Sequence, residues 1–220
     1  MDFGAWRAIP SDGIFRVDLR IRPAAVDPRA VRRLVALLRA DQVGSGAVDD
    51  VMDPRPSRAL AGPLLRAALA ADGERVTHLL SRLVGAGPGA TPAGDDVIVG
   101  VLAGLDAATG SLLPGSAAHA ARALLGDRLR PLFGRTTTIS RHDLTAAIAG
   151  EFGEHVHLLV AALSDPAAAP AAVAGARNRG ATSGVDLATG VAGSLAALVP
   201  RPTRRRTEPT PEPTPQRSSA

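Results

Sequence analysis

The chain has 220 residues, 45% hydrophobic and 21% charged, which fits one domain of ordinary size with a real core and short appendages. It contains no Cys and no Lys, all 25 basic residues being Arg. That excludes disulfides, thiolate metal sites, a thiol nucleophile, a P-loop lysine and Schiff-base chemistry.

One Trp, four Phe and no Tyr are too few for a base-stacking surface. Most of the net charge of +4 comes from five Arg and two Glu in residues 201–220, so the nearly neutral body offers no nucleic-acid face. The opening MDFGAWRAIPSDG lacks the basic-then-apolar order of a signal peptide. The longest apolar runs, such as Val97–Leu105, fall short of the ~20 residues of a membrane helix. A cytoplasmic protein without nucleic-acid or membrane partners is expected.

From Phe15 the chain alternates, with Val17, Leu19 and Ile21 apolar between Arg16, Asp18, Arg20 and Arg22. Period two predicts a small N-terminal β element near Ile14–Ile21. After Asp27-Pro28 the period becomes helical: Val31, Leu34, Val35 and Leu38 form a stripe. Ser57 is expected to cap an Ala/Leu-rich helix reaching about Ala71, and Glu74–Val84 reads as the next helix. Further helices are predicted at 93–108, 116–125, 140–150, 154–163, 170–176 and 183–198. The Pro/Thr/Arg tail from Pro200 has no apolar periodicity and is expected to be disordered. The fold class is mainly α. The expected units are a β segment (1–27), a helical ligand-binding domain (28–199) and the tail (200–220).

Two helix starts match at a constant offset of ninety: Gly94, Asp96, Gly100 and Leu105 correspond to Gly184, Asp186, Gly190 and Leu195. Upstream, Gly73-Glu74 to Leu80 resembles Gly153-Glu154 to Leu159, and Ser57-Arg58 resembles Ser140-Arg141. This ordered set of matches suggests an internal duplication, with repeats 57–105 and 140–195. Packed about a pseudo-twofold axis, such repeats would bring Asp96 and Asp186 to one polar cleft near Gly87–Gly89. One of the two acids would then have a raised pKa.

Three segments carry candidate chemistry. Gly85 to Asp96 packs four glycines into ten residues, a composition that exposes backbone N–H groups to a ligand. Thr91 and Pro92 also read as a helix cap and first helical residue, with Asp95 and Asp96 in the first turn. Arg135 to His142 sets three Thr hydroxyls between arginines, suited to a carboxylate or phosphate, while Ser140 and Asp143 have capping-box spacing. In the third segment, Gly180 to Asp186, Ser183 and Asp186 repeat that spacing. The five His (His78, His119, His142, His155 and His157) fit no metal-ligand pattern, so neither metal nor cofactor is expected.

These segments together resemble the AllH subunit family of bacterial oxamate carbamoyltransferase. The likeness rests on Gly85 to Asp96, Thr136–Ser140 with Gly150-Glu151-Phe152, and Thr182-Ser183-Gly184 with Asp186, and spans roughly residues 55–198. Ala181 stands where that family often has His. The resemblance implies a subunit, working with other carbamoyltransferase subunits, that moves a carbamoyl group between oxalurate and phosphate in purine and allantoin breakdown. The alternative is a subunit that binds a small anion or serves assembly without chemistry of its own. The candidate catalytic acids are Asp95, Asp96 and Asp186. The candidate ligand-binding residues are Gly87, Gly89, Thr91, Gly94, Arg135, Thr136, Thr137, Thr138, Ser140, Thr182, Ser183 and Gly184. Arg135, Arg141 and the glycine-loop N–H groups suit the carboxylate of such a substrate, and the acids suit its amide N–H groups.

Overall fold

The computed structural model describes residues 18–22, 25–44 and 55–200. Within them the order is α1 (Pro28–Gly44), α2 (Arg55–Arg58), α3 (Ala61–Leu69), α4 (Gly73–Leu83), α5 (Ala93–Ala108), α6 (Gly115–Leu129), α7 (Thr138–Ala149), α8 (Glu154–Ala161), α9 (Ala169–Arg177) and α10 (Ser183–Ala196). The fold is mainly helical, as the periodicity implied. On α1 the stripe Val31, Leu34 and Leu38 is buried while Arg32, Arg33 and Arg39 stay exposed. On α4, Val76, Leu79, Leu80 and Leu83 face the core, and the Asp72 carboxylate caps the helix by accepting the Arg75 N–H at 2.9 Å.

The centre of the molecule is a parallel pair, α5 and α10, each buried nearly all round. Glycines set their approach. A Cβ on Gly100 would lie 2.2 Å from Leu187 O, and one on Gly190 would lie 2.4 Å from Val97 O. These reciprocal contacts keep the ninety-residue register read from the sequence. The start of each helix is crossed by the end of the helix before it in a similar way. A Cβ on Gly94 would lie 2.0 Å from Leu83 O, and one on Gly184 2.1 Å from Ala176 O. The sequence match pairs α4 with α8, but in space it is α9 that stands to α10 as α4 stands to α5.

Several expectations are corrected. No strand forms among the described residues; residues 18–22 make only one antiparallel bridge, Arg20 to Glu151. The Phe152 N–H donates to Leu19 O at 2.8 Å, so this stretch leans on the approach to α8 rather than on another strand. Leu19 is 41% exposed and Ile21 is buried, so the two do not share one buried face. Residues 14–17 of that expected element lie outside the described residues, as does the tail 201–220.

The single helix expected over 57–71 is two, α2 and α3. Pro63 cannot sit mid-helix without losing a hydrogen bond to the carbonyl four residues back, and restarting at Ala61 puts it in a first turn, where no such partner is needed. Ser57 therefore caps nothing; its carbonyl accepts the Leu60 N–H at 3.0 Å. Thr137, not Ser140, caps α7, its hydroxyl accepting the Ser140 N–H at 3.1 Å. Neither α5 nor α10 has a side-chain cap, which frees Thr91 and Ser183 for other contacts.

Candidate functional site

The glycine loop folds back on the helix it introduces. Ala86 O accepts the Gly94 N–H at 2.9 Å, and Asp95 Oδ1 accepts the Gly85 N–H at 3.0 Å. Gly85 has φ +73, and a Cβ there would lie 2.2 Å from Arg135 O. Only glycine fits this left-handed, close-packed position. The approach to α7 is thereby pressed onto the loop. Thr136 Oγ1 donates to Asp95 Oδ2, and Thr137 Oγ1 donates to Ala90 O at 2.5 Å. Asp95 is 1% exposed. Burial raises its pKa, and the hydrogen bonds from Thr136 and Gly85 pull it back. Ser140 Oγ is buried nearby; it favours the charged form of Asp95 yet makes no hydrogen bond of normal geometry.

Across from this clasp lies the start of α10. Ser183 Oγ donates to Asp96 Oδ2 and pairs with Thr91 Oγ1. With its one proton committed to the carboxylate, Ser183 accepts from Thr91. The resulting chain, Thr91 to Ser183 to Asp96, ties the two helix starts together. Asp96 is half-buried, and its pKa is pushed up to about 7. Burial is the main cause and the negative charges of Asp186 and Asp95 add to it, against the hydrogen bond from Ser183 and the nearby Thr91 hydroxyl.

Asp186 occupies the matching helical position and is wholly buried. Its Oδ1 pairs with Arg58 Nε at 2.6 Å, the arginine side chain being 10% exposed. Its Oδ2 is buried without a hydrogen-bond partner among the described residues, Thr182 lying nearby. Burial raises its pKa, with the Arg58 cation opposing. The pair joins α2 to α10, and Arg58 was missed as a site residue by the sequence reading. Its only sign there was the likeness of Ser57-Arg58 to Ser140-Arg141.

The structure thus brings Thr91, Asp95, Asp96, Thr136, Ser140, Ser183 and Asp186 together. Gly94 and Gly184 serve helix crossings. Gly87, at φ +108, lies against Ala93, and Gly89, at φ +95, stands in open space. Thr138 and Arg141 are exposed and near each other, Arg141 Nη2 donating to Thr138 Oγ1 at 3.4 Å. Arg135 and Thr182 are exposed too. Among the described residues no group of three or more His, Asp or Glu is placed to hold a metal ion, and no helix is long and apolar enough to cross a membrane.

A helical protein whose paired central helices begin at one cluster of carboxylates and hydroxyls is the class this geometry defines. The sequence model of the family described as oxamate carbamoyltransferase subunit AllH matches residues 83–195, a span that takes in the whole cluster except Arg58. The chain belongs to that family. No curated protein and no solved structure matches it significantly.

Proposed function

We propose that this chain is a working subunit of a carbamoyltransferase that exchanges a carbamoyl group between oxalurate and phosphate, and that the cluster at the starts of α5 and α10 takes part in the transfer. One observation carries the reading. Asp96 is half-buried, hydrogen-bonded by the Ser183 hydroxyl, and its pKa is pushed up to about 7, the range in which a carboxyl group both takes and gives a proton near neutrality. In the phosphorolytic direction a phosphate oxygen bonds to the ureido carbon and the carbon–nitrogen bond breaks. The nitrogen of departing oxamate then needs a proton, and the hydrogen phosphate has one to lose. Asp96 relays it. Asp95 holds the glycine loop, the Asp186–Arg58 pair fixes the field around Asp96, and the backbone N–H groups of Gly87 and Gly89 offer donors to the substrate anion.

The remaining substrate contacts belong to partner subunits, and the setting is cytoplasmic purine and allantoin breakdown. The reciprocal glycine contacts support reading 57–105 and 140–195 as repeats about a pseudo-twofold axis within the 28–199 domain. A second reading has an observation in its favour: the Thr91, Thr136 and Ser183 hydroxyls are all engaged within the chain, as in a subunit that assembles the complex or holds a small anion without chemistry. Phosphorolysis of oxalurate by the complex reconstituted from its subunits separates the two. Asp96→Asn should lower the rate by roughly a hundredfold or more with assembly intact. Full activity of the assembled variant would favour the second reading.

A further inference from the structure

A cavity of about 620 Å³ lies between α1, α3 and α10 and meets the carboxylate cluster only at Arg58 among the described residues. That volume is in the usual range for small-molecule sites, roughly 300–1,000 Å³. Its floor is apolar, built from Val35, Ala192, Ala196 and Val199 among others. Its polar wall is cationic: Arg32 and Arg39 come from α1, Arg58 from α2 and Arg66 from α3. No Asp or Glu lines it among the described residues. Arg32 and Arg39 are two helical turns apart on one face, about 10 Å along the axis, with Arg66 on the opposite wall. Arg58 is already held by Asp186, and among the described residues Arg32 Nη1 reaches only Pro200 O, at 3.5 Å. Arg39 and Arg66 pair with no acid among the described residues.

Several guanidinium groups around one apolar floor call for an anion, because each is a rigid fork suited to phosphate or carboxylate oxygens. We propose that this cavity is a second binding site, for a small organic oxyanion with at least two negative charges, phosphate or carboxylate, on an apolar body. The chain's own segment 201–220 is a poor occupant: it follows Pro200 at the rim and opens with Arg201 and the triplet Arg204–Arg206, which the wall repels. Arg58 touches both this cavity and Asp186, so an anion drawn to it competes with that carboxylate. The cavity thereby gains a route to the field around Asp96.

The test is calorimetric titration of the full chain at low salt with adenosine monophosphate and, separately, with glutarate. Binding of either with Kd below about 1 mM is expected. The phosphate arm alone identifies a phosphate ester, and the glutarate arm alone a dicarboxylate. The double variant Arg39→Ala/Arg66→Ala should weaken binding by roughly tenfold or more with an unchanged unfolding midpoint and unchanged basal phosphorolysis. No binding of either probe, or equal binding by the double variant, would overturn the proposal. So would binding seen only after removal of residues 201–220, since the tail would then be the occupant. Asp96→Asn should still bind the probe with Kd below about 1 mM, so failure of this site and failure of the transfer reading are told apart.

Discussion

The starts of α5 and α10 place an acid at the same point, the fourth residue of each helix, and then treat it differently. Asp186 is fully buried and answered by a cation, Arg58. Asp96 is half-buried and answered by a hydroxyl; burial, with two nearby carboxylates adding to it, raises its pKa to about 7. Burial penalises the charged form at both positions. A neighbouring guanidinium keeps one carboxylate as half of an ion pair, whereas hydroxyls leave the other free to change protonation near neutrality. One local sequence pattern thus yields a structural ion pair at α10 and a titrating group at α5.

The strongest way to break this comparison is to remove the cation. Arg58→Ala strands the buried Asp186, and a loss of roughly 3–5 kcal/mol is expected from urea unfolding at pH 7. The loss should shrink as acid protonates Asp186. If Arg58→Ala is neutral at pH 7, the ion pair does not distinguish the two helix starts. The next largest effect tests their likeness. Gly100→Ala and Gly190→Ala each drive a Cβ into a backbone carbonyl, at 2.2 and 2.4 Å. Each should cost roughly 3 kcal/mol, and by similar amounts if the helices share one register; strongly unequal losses in denaturant titrations would count against the twofold relation.

On the α5 side, Thr136→Val removes the hydroxyl that donates to Asp95. Leaving that buried oxygen unsatisfied should cost roughly 1–3 kcal/mol, and melting curves would show it. The pH dependence of stability sharpens the contrast at Asp96. Its folded pKa, about 7, lies above the ordinary 3.8, so between those values the folded chain holds the proton more tightly than the unfolded chain does. Stability therefore falls as pH rises from about 4 to about 7 and then levels. Asp96→Asn should flatten that slope. An equally steep slope in this variant would assign the titration elsewhere. The smallest effect belongs to Arg135, which is exposed: Arg135→Ala should change stability by no more than about 0.5 kcal/mol, and a larger loss would give that side chain a structural role it lacks here.

Local chemistry determined much of this protein. Helical periodicity set the fold class and most of α1, α4, α5 and α10, because a 3.6-residue stripe is written in neighbouring residues. The ninety-residue spacing exposed the equivalence of Asp96 and Asp186, and the glycine density marked the loop. The caps were misread at Thr91 and Ser140, since a Ser or Thr before a helix suits either a cap or a tertiary partner and sequence spacing does not choose between them. The N-terminal alternation failed for a related reason: one segment of period two forms a strand only where a second strand pairs with it. Only the tertiary structure decided that Ser183 bonds Asp96 across 87 residues, that Arg58 meets Asp186 across 128, and that Asp95 holds the loop. Burial depth and long-range partners set those pKa values, and both depend on how the helices pack.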